Sequence, residues 1–294
     1  MANAKNNKRG RNSKQKPAIH VGETDSVDTV SDLAQILEET TLEVTITSAK
    51  EPSAGATPIT LPLSPPLSPE QSISSIATNN TAAMSSTRLF VASLGNPAPY
   101  QSTRHSAGHV LLRALQSHLR LPPLRKSKAG GLVSAGADVG RPEYTLWQSP
   151  GYMNESGKHL LKAYKQFAAD TRTGGNLGLP GLVVLHDEME SAPGLLKSRN
   201  GNMSAKGHNG IRSVQQSLQS AGLMAKLTEP GAGGGIKFIK VGIGIGRPAG
   251  GSREPSAVSA YVLANFSGPE LSNLVGSAGS LVTILEDARA GMSD

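Results

Sequence analysis

From residue 87 onward, short apolar runs alternate with stretches in which apolar residues recur every three or four positions. The run RLFVASLG (88–95) reads as a buried strand, and SAGHVLLRALQSHL (106–119) as a helix with Val110, Leu111, Ala114, Leu115 and His118 on one side. EYTLWQS (143–149) predicts a second strand. ESGKHLLKAYKQFAAD (155–170) predicts a helix that turns Leu160, Leu161, Tyr164, Phe167 and Ala168 inward. GLVVLHDE (181–188) is apolar on both faces and ends in acids. GIRSVQQSLQSAG (210–222) predicts a helix with Ile211, Val214 and Leu218 inward, Asn209 as its N-cap and Gly222 as its stop. In IKFIKVGIGIG (236–246) Val241, Ile243 and Ile245 share one strand face, and the last apolar stretch (268–291) is one long helix or a helix pair. Strands alternating with helices predict an α/β fold with a largely parallel central sheet. In such sheets ligands bind beyond the carboxyl ends of the strands.

Residues 1–86 carry a different pattern. A basic tip leads into an acidic stretch and then into Ser, Thr, Pro and Ala, without aromatics. Such a segment cannot bury enough apolar area to offset its chain entropy, so it is expected to be a disordered extension, with residues 87–294 as the folded domain. Within it, SDLAQILEE could form a short helix capped by Ser31, and PLSPPLSP (62–69) favours polyproline II. The glycine-rich EPGAGGGI (229–236) reads as a flexible loop.

Charge changes the picture more than composition does. The chain has 294 residues and a net charge of +7, but residues 1–86 hold 7 basic and 9 acidic residues, a balance of −2. The remainder holds 22 basic and 13 acidic residues, a balance of +9, so the excess sits on the part that folds and points to a polyanionic partner. There is no cysteine, which excludes disulfides and thiolate chemistry. No apolar run reaches the roughly 18 residues a membrane helix needs, so no membrane partner is expected. The basic first 20 residues lack the apolar core of a secretory signal.

Four clusters put polar groups directly after apolar runs: Asn96 to His105, GYMNESGK (151–158), LHDEME (185–190) and AKGHNGIR (205–212). His105 can take a proton near neutral pH. It needs a carboxylate to hold one tautomer, and Asp187 at the end of a buried strand is the candidate. With no G-x-S-x-G elbow and no cysteine, the nucleophile left is water. Asn96, Asn154 and Asn209 could donate to an oxyanion or hold a substrate's main chain. His186, Asp187 and Glu188 invite a metal reading, but neighbours on a strand point opposite ways and no H-E-x-x-H occurs, so no metal or other cofactor is expected.

GNPAPYQSTRHSAGH, GYMNESGK, HDEMESAPGLLKSR and GHNGIRSV, in this order and followed by VGIGIGRP, resemble the bacterial-type peptidyl-tRNA hydrolase family over roughly residues 88–290. The resemblance implies a monomeric three-layer α/β/α sandwich around a mixed, largely parallel sheet, and a metal-free hydrolase that cleaves the ester joining a peptide to the 3′ ribose of tRNA. It implies His105 as the general base, Asp187 as the acid that orients it, and Asn96 as an amide tied to preference for a blocked amino group. Tyr100, Tyr152, Asn154 and Asn209 then line the site of the tRNA 3′ CCA end and the peptide, and Lys197 and Arg199 hold the tRNA 5′ phosphate. Ser106 stands where the family usually has Asn. Gly242 replaces a third basic residue, whose place Lys240, on the same strand face, is expected to take. The alternative function is a non-catalytic RNA-binding or splicing cofactor on the same fold, and the compartment is expected to be cytoplasmic or mitochondrial.

Overall fold

The computed structural model describes residues 87–173, 180–224 and 236–292. The readings made for residues 1–86 lie outside the described residues, as does the glycine-rich loop apart from Ile236.

Seven strands form one sheet: β1 (Leu89–Ser93), β2 (Arg125–Lys126), β3 (Leu132–Ala135), β4 (Tyr144–Gln148), β5 (Gly181–Glu188), β6 (Leu196–Asn200) and β7 (Phe238–Gly244), in the order β2-β3-β4-β1-β5-β7-β6. The central strands β4, β1, β5 and β7 are mutually parallel. The edges, β2–β3 with β3–β4 on one side and β6–β7 on the other, pair antiparallel. The sheet is therefore mixed, with a parallel centre.

Strand alternation makes two cores. Leu89 and Val91 of β1 and Val183 and Leu185 of β5 face one side, where they meet Val241 and Ile243 of β7 and the helices α1 (Ala107–His118), α5 (Gly268–Gly276) and α6 (Ala278–Met292). Phe90, Ala92, Leu182, Val184 and Phe238 face the other side, under α2 (Ser156–Thr173) and α3 (Asn209–Ser220). The result is the expected α/β/α sandwich, with the end of the chain resolved into a helix pair. Within α1, Val110, Leu111, Ala114 and Leu115 are buried as expected, but His118 is exposed, and Leu119, the next residue, is buried in its place.

Four elements are absent from the sequence pattern: the strands β2, β3 and β6 at the edges of the sheet, and α4 (Pro255–Val262), which has no buried residue.

Close backbone approach sets the site. Gly108 opens α1 so near the sheet that a Cβ there would lie 2.5 Å from the Leu94 carbonyl and 2.7 Å from that of Leu185. This brings the start of α1 onto the carboxyl ends of β1 and β5. Gly210 does the same for α3, where a Cβ would lie 2.3 Å from Met153 Sδ and 3.0 Å from Leu94 Cδ1.

Candidate active site

The loop after β1 and the end of β5 are neighbours because those strands pair in register, Ser93 beside Leu185. His105, in a 3-10 turn ahead of α1, lies with Nδ1 2.9 Å from Asp187 Oδ1. A carboxylate only accepts, so Nδ1 donates and Nε2 is left as the basic lone pair. Burial alone would lower the His105 pKa, but the charge of Asp187 and its hydrogen bond outweigh that and raise it above 6.5. Burial works against the Asp187 charge as well, but the two imidazoles beside it hold its carboxyl well below the usual carboxylate range.

The second imidazole is His208. Its Nε2 lies 2.8 Å from the same Asp187 oxygen, and its Nδ1 accepts the backbone N–H of Ile211 at 3.2 Å. His208, not Asn209, is thus the N-cap of α3, because its ring reaches the Ile211 N–H while Asn209 begins the helix proper. His208 lies in the AKGHNGIR cluster, where no role for it follows from spacing. Its only signal was a position one residue before a helix start, where capping side chains sit.

His105, Asp187 and His208 offer ligand atoms within 4.8 Å of one another, a set that a transition metal could use. The hydrogen bonds argue against that fit. With Nδ1 of His208 accepting from Ile211, the ring proton sits on Nε2, and a protonated nitrogen has no lone pair for a metal. His186 stands apart from this set: Nδ1 meets the Asp187 carbonyl at 2.8 Å, its ring packs edge-on to His208 at 5.0 Å, and burial pushes its pKa down to about 3.

A cleft of about 550 Å³ opens in front of these groups, lined by His105, Asp187, His208 and Asn209 on one side and by Val258, Ser259 and Val262 of α4 on the other. Its wall carries Arg199, Lys206, Lys240, Arg247 and Arg253 together with Glu188 and Glu190, which pair with Arg199 and Arg247, so cations exceed acids there.

Of the other expected residues, Asn96 is buried, and its Oδ1 accepts the Met153 N–H at 3.1 Å. That contact orients the amide and leaves its NH₂ to donate. It also sets the Asn96 loop against the 151–158 turn, where Tyr152 and Asn154 are exposed. The Asn154 carbonyl accepts from Ser213 Oγ at 2.8 Å, which docks that turn on α3 near exposed Asn209. Tyr100 is 38% exposed at the tip of the loop before His105. Ser106 accepts the Asn96 N–H at 2.9 Å and donates to the Tyr100 carbonyl at 2.8 Å, so the hydroxyl pins both ends of that loop.

Lys197 and Arg199 share a face of β6, opposite Gly242 and Lys240 of β7, and Arg199 is ion-paired with Glu188. Lys240 departs from expectation. It is 3% exposed, and its Nζ donates to the Met203 and Ser204 carbonyls at 2.5 and 2.7 Å. Its charge props the loop ahead of His208 rather than standing free at the surface.

Residues 90–228 match the family profile described as "Peptidyl-tRNA hydrolase". The peptidyl-tRNA hydrolase of Saccharomyces cerevisiae is 34% identical over 194 residues, covering 64% of this chain and 89% of the yeast protein. This chain belongs to the peptidyl-tRNA hydrolase family. A bacterial member from Geobacter metallireducens is likewise 34% identical, over 68% of this chain and 87% of its own length. Among solved structures, a mutant peptidyl-tRNA hydrolase from Acinetobacter baumannii superposes with a TM-score of 0.51 at 25% identity, over 71% of this chain and 92% of that one. Among the described residues, no helix is long and apolar enough to cross a membrane.

Proposed function

We propose that this protein hydrolyses the ester between the peptide and the 3′ ribose of peptidyl-tRNA, with water activated by His105. The observation that carries this reading is the His105–Asp187 contact at 2.9 Å, in a cleft whose lining holds more basic than acidic side chains. His105 Nε2 takes a proton from water as the oxygen attacks the ester carbonyl. Asn96 and Asn209 offer amide donors to the oxyanion that develops. The tetrahedral intermediate collapses, the ribose 3′ oxygen leaves with the proton from the imidazolium, and free peptide and tRNA result. Asp187 stays ionised and holds the ring's tautomer throughout. An ester's leaving group needs less help than an amide's, so a base with amide donors suffices.

In this reading Tyr100, Tyr152, Asn154 and Asn209 receive the CCA end and the peptide, with the tyrosine rings offering flat faces to a base or sugar. Lys197 and Arg199 receive the 5′ phosphate. Asn96 favours substrates whose amino group is blocked. The protein acts as a monomer, in either compartment that houses translation, cytosol or mitochondrion. The non-catalytic alternative finds no support among the relatives.

The test is release of N-acetyl-aminoacyl groups from tRNA, with free aminoacyl-tRNA as the control. His105→Ala is expected to bind tRNA as the wild type does and to lose turnover by about 10² to 10⁴. Full turnover in that variant would remove the proposed base.

A further inference from the structure

His105 is held from two sides, and only one of them is Asp187. Arg104, the residue before it, donates from Nε and Nη2 to Glu270 Oε1 at 3.1 and 3.0 Å, and from Nη2 to Oε2 at 2.7 Å. Its guanidinium carbon lies 4.6 Å above the centre of the Tyr261 ring. Tyr261 in turn donates its hydroxyl to the Ile245 carbonyl, just past β7, at 2.5 Å. The Arg104 N–H donates to the Ala264 carbonyl at 3.0 Å, and Thr103 bridges to Asn265. Glu270 is itself fixed, since its Oε2 accepts from both the backbone N–H and the hydroxyl of Ser267 in the capping box of α5.

We propose that Arg104 is a positioning residue for the reaction, clasping Glu270 and Tyr261 so that the backbone of His105 is locked to the α4–α5 connection while Asp187 orients the ring. The proposal rests on His105 being the base. Two side-chain contacts and one main-chain pairing meet at this residue. The fork on Glu270 fixes it in the plane of the carboxylate. The Tyr261 ring covers its face. The main-chain pairing to 264–265 removes the freedom of the loop that carries His105. Tyr261 belongs to α4, whose Val258, Ser259 and Val262 line the cleft, so the clasp also sets the wall facing the base. A proton acceptor displaced by 1 Å loses on the order of 10²-fold in rate, and nothing in the Asp187 contact alone fixes where along the loop the ring begins.

Lysine keeps the charge but cannot supply the planar fork. Arg104→Lys and Glu270→Gln are therefore assayed beside His105→Ala on N-acetyl-aminoacyl-tRNA, with kcat, KM, the pH profile and the thermal midpoint recorded for each. Arg104→Lys is expected to lower kcat roughly tenfold to a hundredfold with KM within about twofold. The acid limb of its kcat/KM profile moves down in pH, as the ring loosens from the charge that raises its pKa. Glu270→Gln follows the same pattern, and the double variant is little worse than either single one, because both cut the same contact. A wild-type kcat and pH profile in Arg104→Lys overturns the proposal. So does a loss that vanishes when rates are expressed per folded molecule, since that marks stability alone. An active His105→Ala would instead sink the reading of the base, which separates the two failures.

Discussion

His208 Nε2 lies 2.8 Å from the Asp187 oxygen that also receives His105 Nδ1 at 2.9 Å. One carboxylate oxygen thus accepts from two imidazoles. Its charge is stabilised in a buried setting that would otherwise favour protonation. His208 serves two purposes, since its other nitrogen caps α3. His208→Asn separates them. Asparagine is a strong N-cap, so helix stability should stay within about 0.5 kcal/mol. It is too short to reach Asp187, and loss of a hydrogen bond to a charged group should lower kcat by about tenfold or more. A lower kcat per folded molecule, with the thermal midpoint reduced only by the lost bond to Asp187, is the expected result, and an unchanged kcat would exclude a role for the second imidazole.

The pH profile reports the His105–Asp187 pair directly. The base works in its neutral form, so kcat/KM rises as pH passes its pKa. The Asp187 charge raises that pKa, which puts the acid limb above 6.5. In Asp187→Asn the charge is gone and burial acts unopposed, so the limb should move below 6.5. Turnover should fall on the order of 10² to 10⁴, because the imidazolium loses its partner. A limb that stays in place would mean a different group titrates.

Much of this arrangement is legible in the sequence, and the exceptions have physical causes. The central strands announce themselves because both of their faces are buried, as in Leu182 to Leu185. Helices α1 to α3 show their period because one side of each packs on that sheet. By contrast, α4 has no buried residue: Val258 and Val262 line the cleft, and Tyr261 and Val262 only brush the edge of a core, so its apolar residues show no clear core-facing period. The edge strand β6, LKSRN, is only half covered and mixes charge with apolar residues. His105 and Asp187 could be paired from motif order alone. That His208 rather than Asn209 caps α3, and that Lys240 is spent on loop carbonyls, depends on side-chain reach, which spacing does not encode.

The phosphate reading of β6 predicts a salt signature. Lys197 and Arg199 project from one face of the strand, and Arg199 is held by Glu188 at the mouth of the cleft. If they receive a tRNA phosphate, Lys197→Ala and Arg199→Ala should raise KM for full-length substrate and leave kcat near wild type. Each should reduce the slope of log affinity on log salt by about one. On a short acceptor fragment lacking the 5′ phosphate the variants should match wild type. A drop in kcat without a change in salt slope would assign the pair to the chemistry instead.

Acid sensitivity of the fold should trace to two buried histidines. His109, in the first turn of α1, is 2% exposed, with Nδ1 2.9 Å from Ser93 Oγ. Burial and then the nearby Arg113 charge push its pKa down to about 3. His186 is pushed to a similar value by burial and His208. Between pH 6.5 and about 3 the unfolded chain therefore binds protons that the folded chain refuses, so stability falls as pH falls. Each such group contributes up to about 1.4 kcal/mol per pH unit in that window. Carboxylates such as Asp187 add their own loss mainly below about pH 4, so the interval from about 4.5 to 6.5 isolates the histidines. His109→Gln keeps a polar partner for Ser93 and does not titrate. Urea unfolding across that interval should show its dependence on pH reduced by about one proton relative to wild type. Equal slopes for the two proteins would mean that His109 is protonated in the folded state, and that its pairing with Ser93 does not keep the ring neutral.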